Sequence, residues 1–136
     1  MPRNVIGGYG VLGNLALNVE KTIRGDNASY ELFAHYAGQQ RVQIRAGESL
    51  VLTVDGQPLR FQVRDEDVDR DMFCPESGPC TYDERAYYPA TPDQIRAIAN
   101  AETVTVELIG AARTLAAEFN ELNFERYRSF VSEHVR

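Results

Sequence analysis

Along much of this chain the apolar residues fall on every second position. Leu15, Leu17, Val19 and Ile23 share one phase and Asn18, Glu20, Thr22 and Arg24 the other, with Lys21 interrupting the apolar side. Alternation of this kind marks a half-buried β-strand. Gly25-Asp26-Asn27 supplies turn chemistry, after which Tyr30, Leu32, Ala34 and Tyr36 alternate with Glu31, Phe33 and His35. Val42 and Ile44 predict a further strand. Leu50, Leu52 and Val54 lead into Asp55-Gly56, and Leu59, Phe61 and Val63 follow. An Asp-Gly pair between two alternating runs is a strong hairpin signal, and strands joined by such turns run antiparallel. Residues 1–14, which hold four glycines, read as a loose N-terminal arm. Residues 65–81 break the alternation and read as an acidic loop, and Tyr82 to Tyr88 predict another strand.

Two segments carry helical signals instead. Thr91, Pro92 and Gln94 form a T-P-x-Q start, which is a capping box with proline at the first helical position. Ile95, Ile98 and Ala99 make the apolar stripe of a helix over about 92–101, and Asp93 suits its positive end. Val104, Val106 and Leu108 then alternate with Thr103, Thr105 and Glu107 up to Gly110, with Leu115, Ala117 and Phe119 as the hairpin partner. Phe124, Tyr127, Val131 and His134, with Phe130 beside them, return to helical spacing over about 122–135, where Asn120 or Asn123 is the cap. Runs of antiparallel strands with segregated helices predict an α+β fold. The expectation is one twisted, mostly antiparallel sheet of about seven or eight strands with both helices packed on one face. The alternative is a sandwich whose second layer is partly helical.

Composition narrows the functional classes. A length of 136 residues predicts one domain, 1–136, large enough to bury an apolar core. The net charge of −6 argues against nucleic acid and against an anionic membrane surface, both of which call for surplus Lys and Arg. No apolar run has the length of a membrane-spanning helix. The charge is also unevenly placed. Residues 65–84 hold eight acids and one base, a net of −7, and the other 116 residues are at +1.

The only two cysteines, Cys74 and Cys80, lie in that acidic stretch. A loop broken by Pro75, Gly78 and Pro79 can bring them within disulfide distance, and closing so short a ring would contribute roughly 2.4 kcal/mol. Two free thiols are the alternative. Zinc lacks a second cysteine pair, and the only histidines, His35 and His134, are far apart. A disulfide implies an oxidising compartment. The chain starts Met1-Pro2-Arg3-Asn4 with no charged-then-apolar signal segment. Either Met1 is the start of a cytoplasmic protein or an export signal has been removed, and the second is the expectation.

The C-terminal half also carries a family resemblance. Cys80, Tyr82 and Glu84 are followed by Tyr88-Pro89, Thr91 and Gln94-Ile95, then by Ile98-Ala99, Ala101, Val104, Val106, Leu108 and Gly110. This pattern resembles small uncharacterised domains of bacterial exported and lipoprotein-like proteins. The resemblance implies a periplasmic or otherwise exported location and a paired Cys74 and Cys80. It implies no activity.

Among candidate chemistries, Asp65, Asp67 and Asp69 occupy positions 1, 3 and 5 of a calcium loop and Glu76 position 12. Arg70 stands where such a loop turns on glycine, which argues for a plain acidic loop instead. His35 is a candidate general base with no partner placed beside it by sequence. No serine has the G-x-S-x-G setting of a nucleophile, and Gly7-Gly8-Tyr9-Gly10 lacks the lysine of a phosphate loop. Tyr82, Tyr87 and Tyr88 cluster just past the acidic stretch, and tyrosine is favoured at interfaces. The expectation is a non-enzymatic domain of the bacterial envelope, with no cofactor and no catalytic residue. It acts by protein–protein contacts through the segment 65–88, with Asp65, Asp67, Asp69, Asp71, Tyr82, Tyr87 and Tyr88 meeting a partner of basic surface. The rivals are a small-molecule or Ca²⁺-binding module and a hydrolase of unfamiliar type that pairs His35 with a carboxylate.

Overall fold

A computed structural model describes residues 1–10 and 13–135. The strands are β1 (Val5–Gly8), β2 (Asn14–Arg24), β3 (Asn27–Gly38), β4 (Gly47–Val54), β5 (Gln57–Val63), β6 (Val68–Phe73), β7 (Thr81–Ala90), β8 (Val104–Ile109) and β9 (Thr114–Glu118). The helices are α1 (Pro92–Ala99) and α2 (Glu121–His134), and a 3-10 turn spans Asp65–Asp67. The fold is α+β with every strand pair antiparallel. The strands form two sheets, not one: a five-stranded sheet in the order β1-β2-β3-β7-β6 and a four-stranded sheet in the order β5-β4-β8-β9. Alternation along a strand shows which side is buried but not which neighbour the strand takes, so the split into two sheets left no local trace.

The expected turns explain the hairpins. Asp55 and Gly56 both take positive φ, 48° and 83°, as a two-residue turn between right-twisted strands requires. Asp55 Oδ1 also accepts from the backbone N–H groups of Glu102 and Thr103, which ties this turn to the end of α1. Helix α1 starts with the full Thr91–Gln94 capping box and buries Ile95, Ile98 and Ala99. Helix α2 starts with the same reciprocal arrangement between Asn120 and Asn123 and buries Phe124, Tyr127 and Phe130. The helices pack on each other, and α2 also touches β2. The inner faces of both sheets, with Leu17, Leu32, Leu52 and Leu108 at 0 % exposure, and the helix stripes form one continuous apolar cluster. Burying each such leucine contributes about 1.5–3 kcal/mol. No helix among the described residues is long and apolar enough to cross a membrane.

Three local expectations are corrected. The glycine-rich arm over 1–14 contains β1, which pairs with β2, although residues 11 and 12 lie outside the described residues. Asn4 is fully buried just before it: its amide donates to the Leu17 carbonyl, and its Oδ1 accepts from Asn123 Nδ2. Tyr127 Oη donates to the same Leu17 carbonyl at 3.1 Å. A polar node therefore replaces apolar packing where the first strand meets the last helix, and composition alone hides it. The acidic stretch 65–81 is not all loop, because Val68–Phe73 forms the edge strand β6. Val42 and Ile44 form no strand, and only an isolated bridge joins Ile44 to Gly110.

That last segment, residues 39–46, carries the chain from β3 in one sheet to β4 in the other. On one side Ala111 N–H donates to the Gln43 carbonyl, Ala112 N–H to the Val42 carbonyl and Arg113 Nε to the Arg41 carbonyl. On the other, the buried carboxylate of Glu84 accepts three successive backbone N–H groups, from Val42 (2.8 Å), Gln43 (3.0 Å) and Ile44 (2.9 Å). Gln43 takes a φ of 61°, which turns the three N–H groups to a common side. Arg70, opposite Glu84 in the β6–β7 ladder, donates Nε to the Ile44 carbonyl at 3.0 Å. The pair thus satisfies both backbone groups of Ile44 and stands in for an absent neighbouring strand. Gly110 allows the close approach, since a Cβ there would lie 2.0 Å from the Val42 carbonyl oxygen. Replacing Glu84 with Ala strands three backbone donors, two of them buried, and chemical denaturation should show a loss of about 3–5 kcal/mol. Glu84→Gln keeps one accepting oxygen for Val42 and Gln43 but sets an NH2 against the Ile44 N–H, so it should lose less than Ala and still be destabilised.

Candidate functional site

The acidic stretch folds into a hairpin, β6–β7, whose two faces differ. Pairs run from Val68↔Ala86 to Phe73↔Thr81, and Cys74 and Cys80 are the next pair in that register. They are joined as a disulfide with a Cα separation of 4.1 Å. The bridge closes the hairpin end and holds a seven-residue ring containing Pro75, Glu76 and Pro79. Beside it, Met72 and Phe73 expose 52 % and 67 % of their surface.

On the outer face, Asp69 lies opposite Arg85 and Asp71 opposite Asp83. Asp83 is also held by Arg85 Nε at 2.9 Å and by His35 Nε2 at 3.0 Å. Asp67 takes Arg64 Nε at 2.9 Å, and Asp65 lies 3.8 Å from Arg70. Asp69 and Asp71 are exposed and make no ion pair among the described residues. The Asp71 carboxylate accepts from the N–H of Met72, and the Val68 N–H is used by the Asp65 carbonyl. The chain itself therefore occupies two backbone donors of this edge strand, which blunts it against a further strand.

The aromatic residues divide between the faces. Tyr87 stands on the outer face, stacked on Phe33 at 4.7 Å, and Phe33 stacks in turn on His35 at 5.8 Å. Tyr82 points inward, next to Arg41. Tyr88 is fully buried, and its hydroxyl is 2.6 Å from Ser49 Oγ on β4. Burial pushes the Tyr88 phenol up to about 12, even with the Ser49 hydrogen bond acting against the rise. Tyr88 is a link between the sheets and meets no partner, which corrects the expectation of a three-tyrosine surface.

The calcium candidates do not converge. Asp65 and Asp67 sit on a 3-10 turn, Asp69 on a strand and Glu76 inside the disulfide ring. No group of three or more His, Cys, Asp or Glu side chains among the described residues is arranged to hold a metal ion. His35 does gain a carboxylate, Asp83, but its Nδ1 faces Arg3 Nη1 at 2.9 Å. A guanidinium only donates, so both ring nitrogens are occupied and neither is free to take a substrate proton.

Behind the outer aromatics, Glu20 and Glu31 oppose each other directly across β2 and β3. Burial, followed by Asp67 and Glu20, raises the Glu31 carboxyl above its ordinary range, and Arg64 only partly offsets this. For Asp83, burial acts upward, but hydrogen bonds from His35 and Arg85 outweigh it and hold the carboxyl low.

The other side of the hairpin borders a cavity of about 190 Å³ lined by Arg41, Gln43, Arg70, Asp71, Met72, Tyr82 and Glu84. Sequence reading missed Arg41 and Gln43 as lining residues and counted Glu84 only as one of the eight acids of residues 65–84. A signal for Glu84 was present, since it shares the phase of Tyr82, Ala86 and Tyr88, the buried face of β7. Comparison with known protein families, with curated proteins and with solved structures gives no significant match.

The two carboxylates give opposite pH signatures. Glu31 binds its proton more tightly in the folded chain, so Glu31→Gln should be the more stable protein at pH 7, by about 0.2–1 kcal/mol. The gain should vanish as pH falls through the raised value, as followed by denaturation midpoints. Asp83 binds its proton more weakly when folded, so its stabilisation is present above the ordinary aspartate range and lost as pH falls through the depressed value. Asp83→Asn should therefore be less stable at neutral pH, by no more than about 1 kcal/mol for so exposed a pair, and should match the native protein at the acid end.

Proposed function

We propose that this protein is a non-enzymatic binding domain of the bacterial envelope that docks a basic protein partner on its β6–β7 hairpin. The observation that carries the reading is the unpaired state of Asp69 and Asp71 on a disulfide-closed hairpin, next to exposed Phe73 on the same strand phase. Asp65, Glu66, Asp67 and Asp83 are already matched by Arg64, Arg70, Arg85 or His35, so Asp69 and Asp71 are the exposed carboxylates of strands β6 and β7 left to meet a partner. The closed hairpin end lowers the ordering cost of binding, and the exposed Phe73 ring beside it supplies an anchor of the kind found at interface centres. Docking goes through side chains rather than strand addition, because the edge has taken up two of its own backbone donors.

The exported location is part of the same proposal. It is supported by the disulfide, which persists in oxidising compartments, and by the resemblance of the C-terminal half to exported domains. The hydrolase reading gains a carboxylate beside His35 but loses the free ring nitrogen that it needs.

The test is affinity capture from an envelope extract, with the native protein and Asp69→Asn/Asp71→Asn run in parallel over a salt series. The reading expects a basic protein that is retained at about 50 mM salt, released well below 1 M and not retained by the double variant. A retained set that is identical for both proteins at every salt concentration would sink it.

A further inference from the structure

The cavity on the inner side of the hairpin has a chemistry unlike that of the acidic outer face. Arg41 is exposed and has no carboxylate partner among the described residues. Its guanidinium lies over the Tyr82 ring, 5.2 Å from the centroid, and one nitrogen reaches Met72 Sδ at 3.8 Å. It is therefore held in place by an aromatic face and a thioether while most of its N–H donors stay unused. Arg70 lines the same cavity and spends donors on the Ile44 carbonyl, which fixes its position. The carboxylate of Glu84 borders the space, but three backbone N–H groups already meet its charge. Asp71 also lines the space, and its Oδ1 accepts from the Met72 N–H. The interior thus offers two positioned guanidinium groups against an apolar wall made by Met72 and Tyr82, which are directly paired across the hairpin.

We propose that this cavity binds a small carboxylate with a short apolar body, its oxygens toward Arg41 and Arg70 and its body against Met72 and Tyr82. Guanidinium groups match a carboxylate in planar, paired geometry, and a cavity of about 190 Å³ sets a small size for the part that enters. The same chemistry is presented by a free organic acid and by the C-terminal residue of a peptide. This inference goes beyond the docking reading and rests on different charges, Arg41 and Arg70 in place of Asp69 and Asp71, although Asp71 borders both sites. The disulfide enters here as well: it lies two pairs beyond Met72↔Tyr82 in the ladder and fixes the wall of the cavity.

The test is a titration followed by NMR, reading the Met72 methyl, the Tyr82 ring and the Arg41 Nε–H signals. The probes are butyrate and benzoate, their neutral amides, and a short peptide ending in leucine with either a free or an amidated C-terminus. The expected result is saturable shifts at these three groups with a Kd of about 1 mM for the acids, and affinity at least about tenfold weaker for the amides. Arg41→Gln, which removes an exposed side chain and should fold normally, should weaken the acids by a similar factor, and reducing the disulfide should weaken them further. If the free peptide binds at least as tightly as the simple acids, the source is a chain terminus; if only the acids bind, it is a metabolite-sized ligand. Acid and amide shifting the same signals equally, or Arg41→Gln binding as the native protein does, would overturn the proposal.

Discussion

One buried carboxylate holds the two sheets in their relation. Glu84 reaches from β7 of the five-stranded sheet to three backbone N–H groups of the segment that leads into the four-stranded sheet. Burying a charge without partners costs several kcal/mol, so the arrangement persists only because each oxygen is met. Arg70 completes it from the neighbouring strand by taking the Ile44 carbonyl. Remove this contact and the crossing segment is fixed mainly to the four-stranded sheet, through Gly110 and its neighbours. The positive φ of Gln43 and the absence of a side chain at Gly110 follow from the same requirement for close approach.

The clasp also decides what the hairpin can present. Its inner positions, Arg70 and Glu84, are fixed against the crossing segment, and the outer positions Asp69, Asp71, Asp83 and Arg85 face solvent or a partner. An acidic run that reads as uniform along the chain is therefore sorted by the period-two geometry of a strand. Part of it is structural, part is internally neutralised and a small part is free. The aromatic residues are sorted in the same way: Tyr87 joins an outer stack, Tyr82 a cavity wall and Tyr88 the core.

Sequence patterning carried the elements well. The strands β2, β3, β4, β5, β8 and β9, the Asp55-Gly56 turn and both helix starts were legible because each rests on contacts between residues close in the chain. What it could not carry was the long-range arrangement. Nothing local distinguishes a strand that continues a sheet from one that begins another, so the expected single sheet became two. Acidic residues in alternation, as in Val68–Phe73, have no apolar phase to reveal a strand, so β6 read as loop. Val42 and Ile44 have the strand phase, but side chains occupy the place of the strand on one flank. Within the candidate site, Asp69 and Asp71 were legible as exposed charge, and Arg41 was not, because its setting depends on Tyr82 and Met72 far along the chain.

The node at Asn4 has a consequence for how the chain matures. Asn4 is wired to Asn123, and Tyr127 bonds the carbonyl of Leu17, so the first strand and the last helix complete one another. These contacts join residues separated by 119 and 110 positions, so they can form only after α2 is in place. Contacts of such sequence separation are slow to form. Helix α2 therefore closes late over the strands it serves, and a chain cut before residue 120 would leave Asn4 Oδ1 without its Asn123 donor and the Leu17 carbonyl without Tyr127.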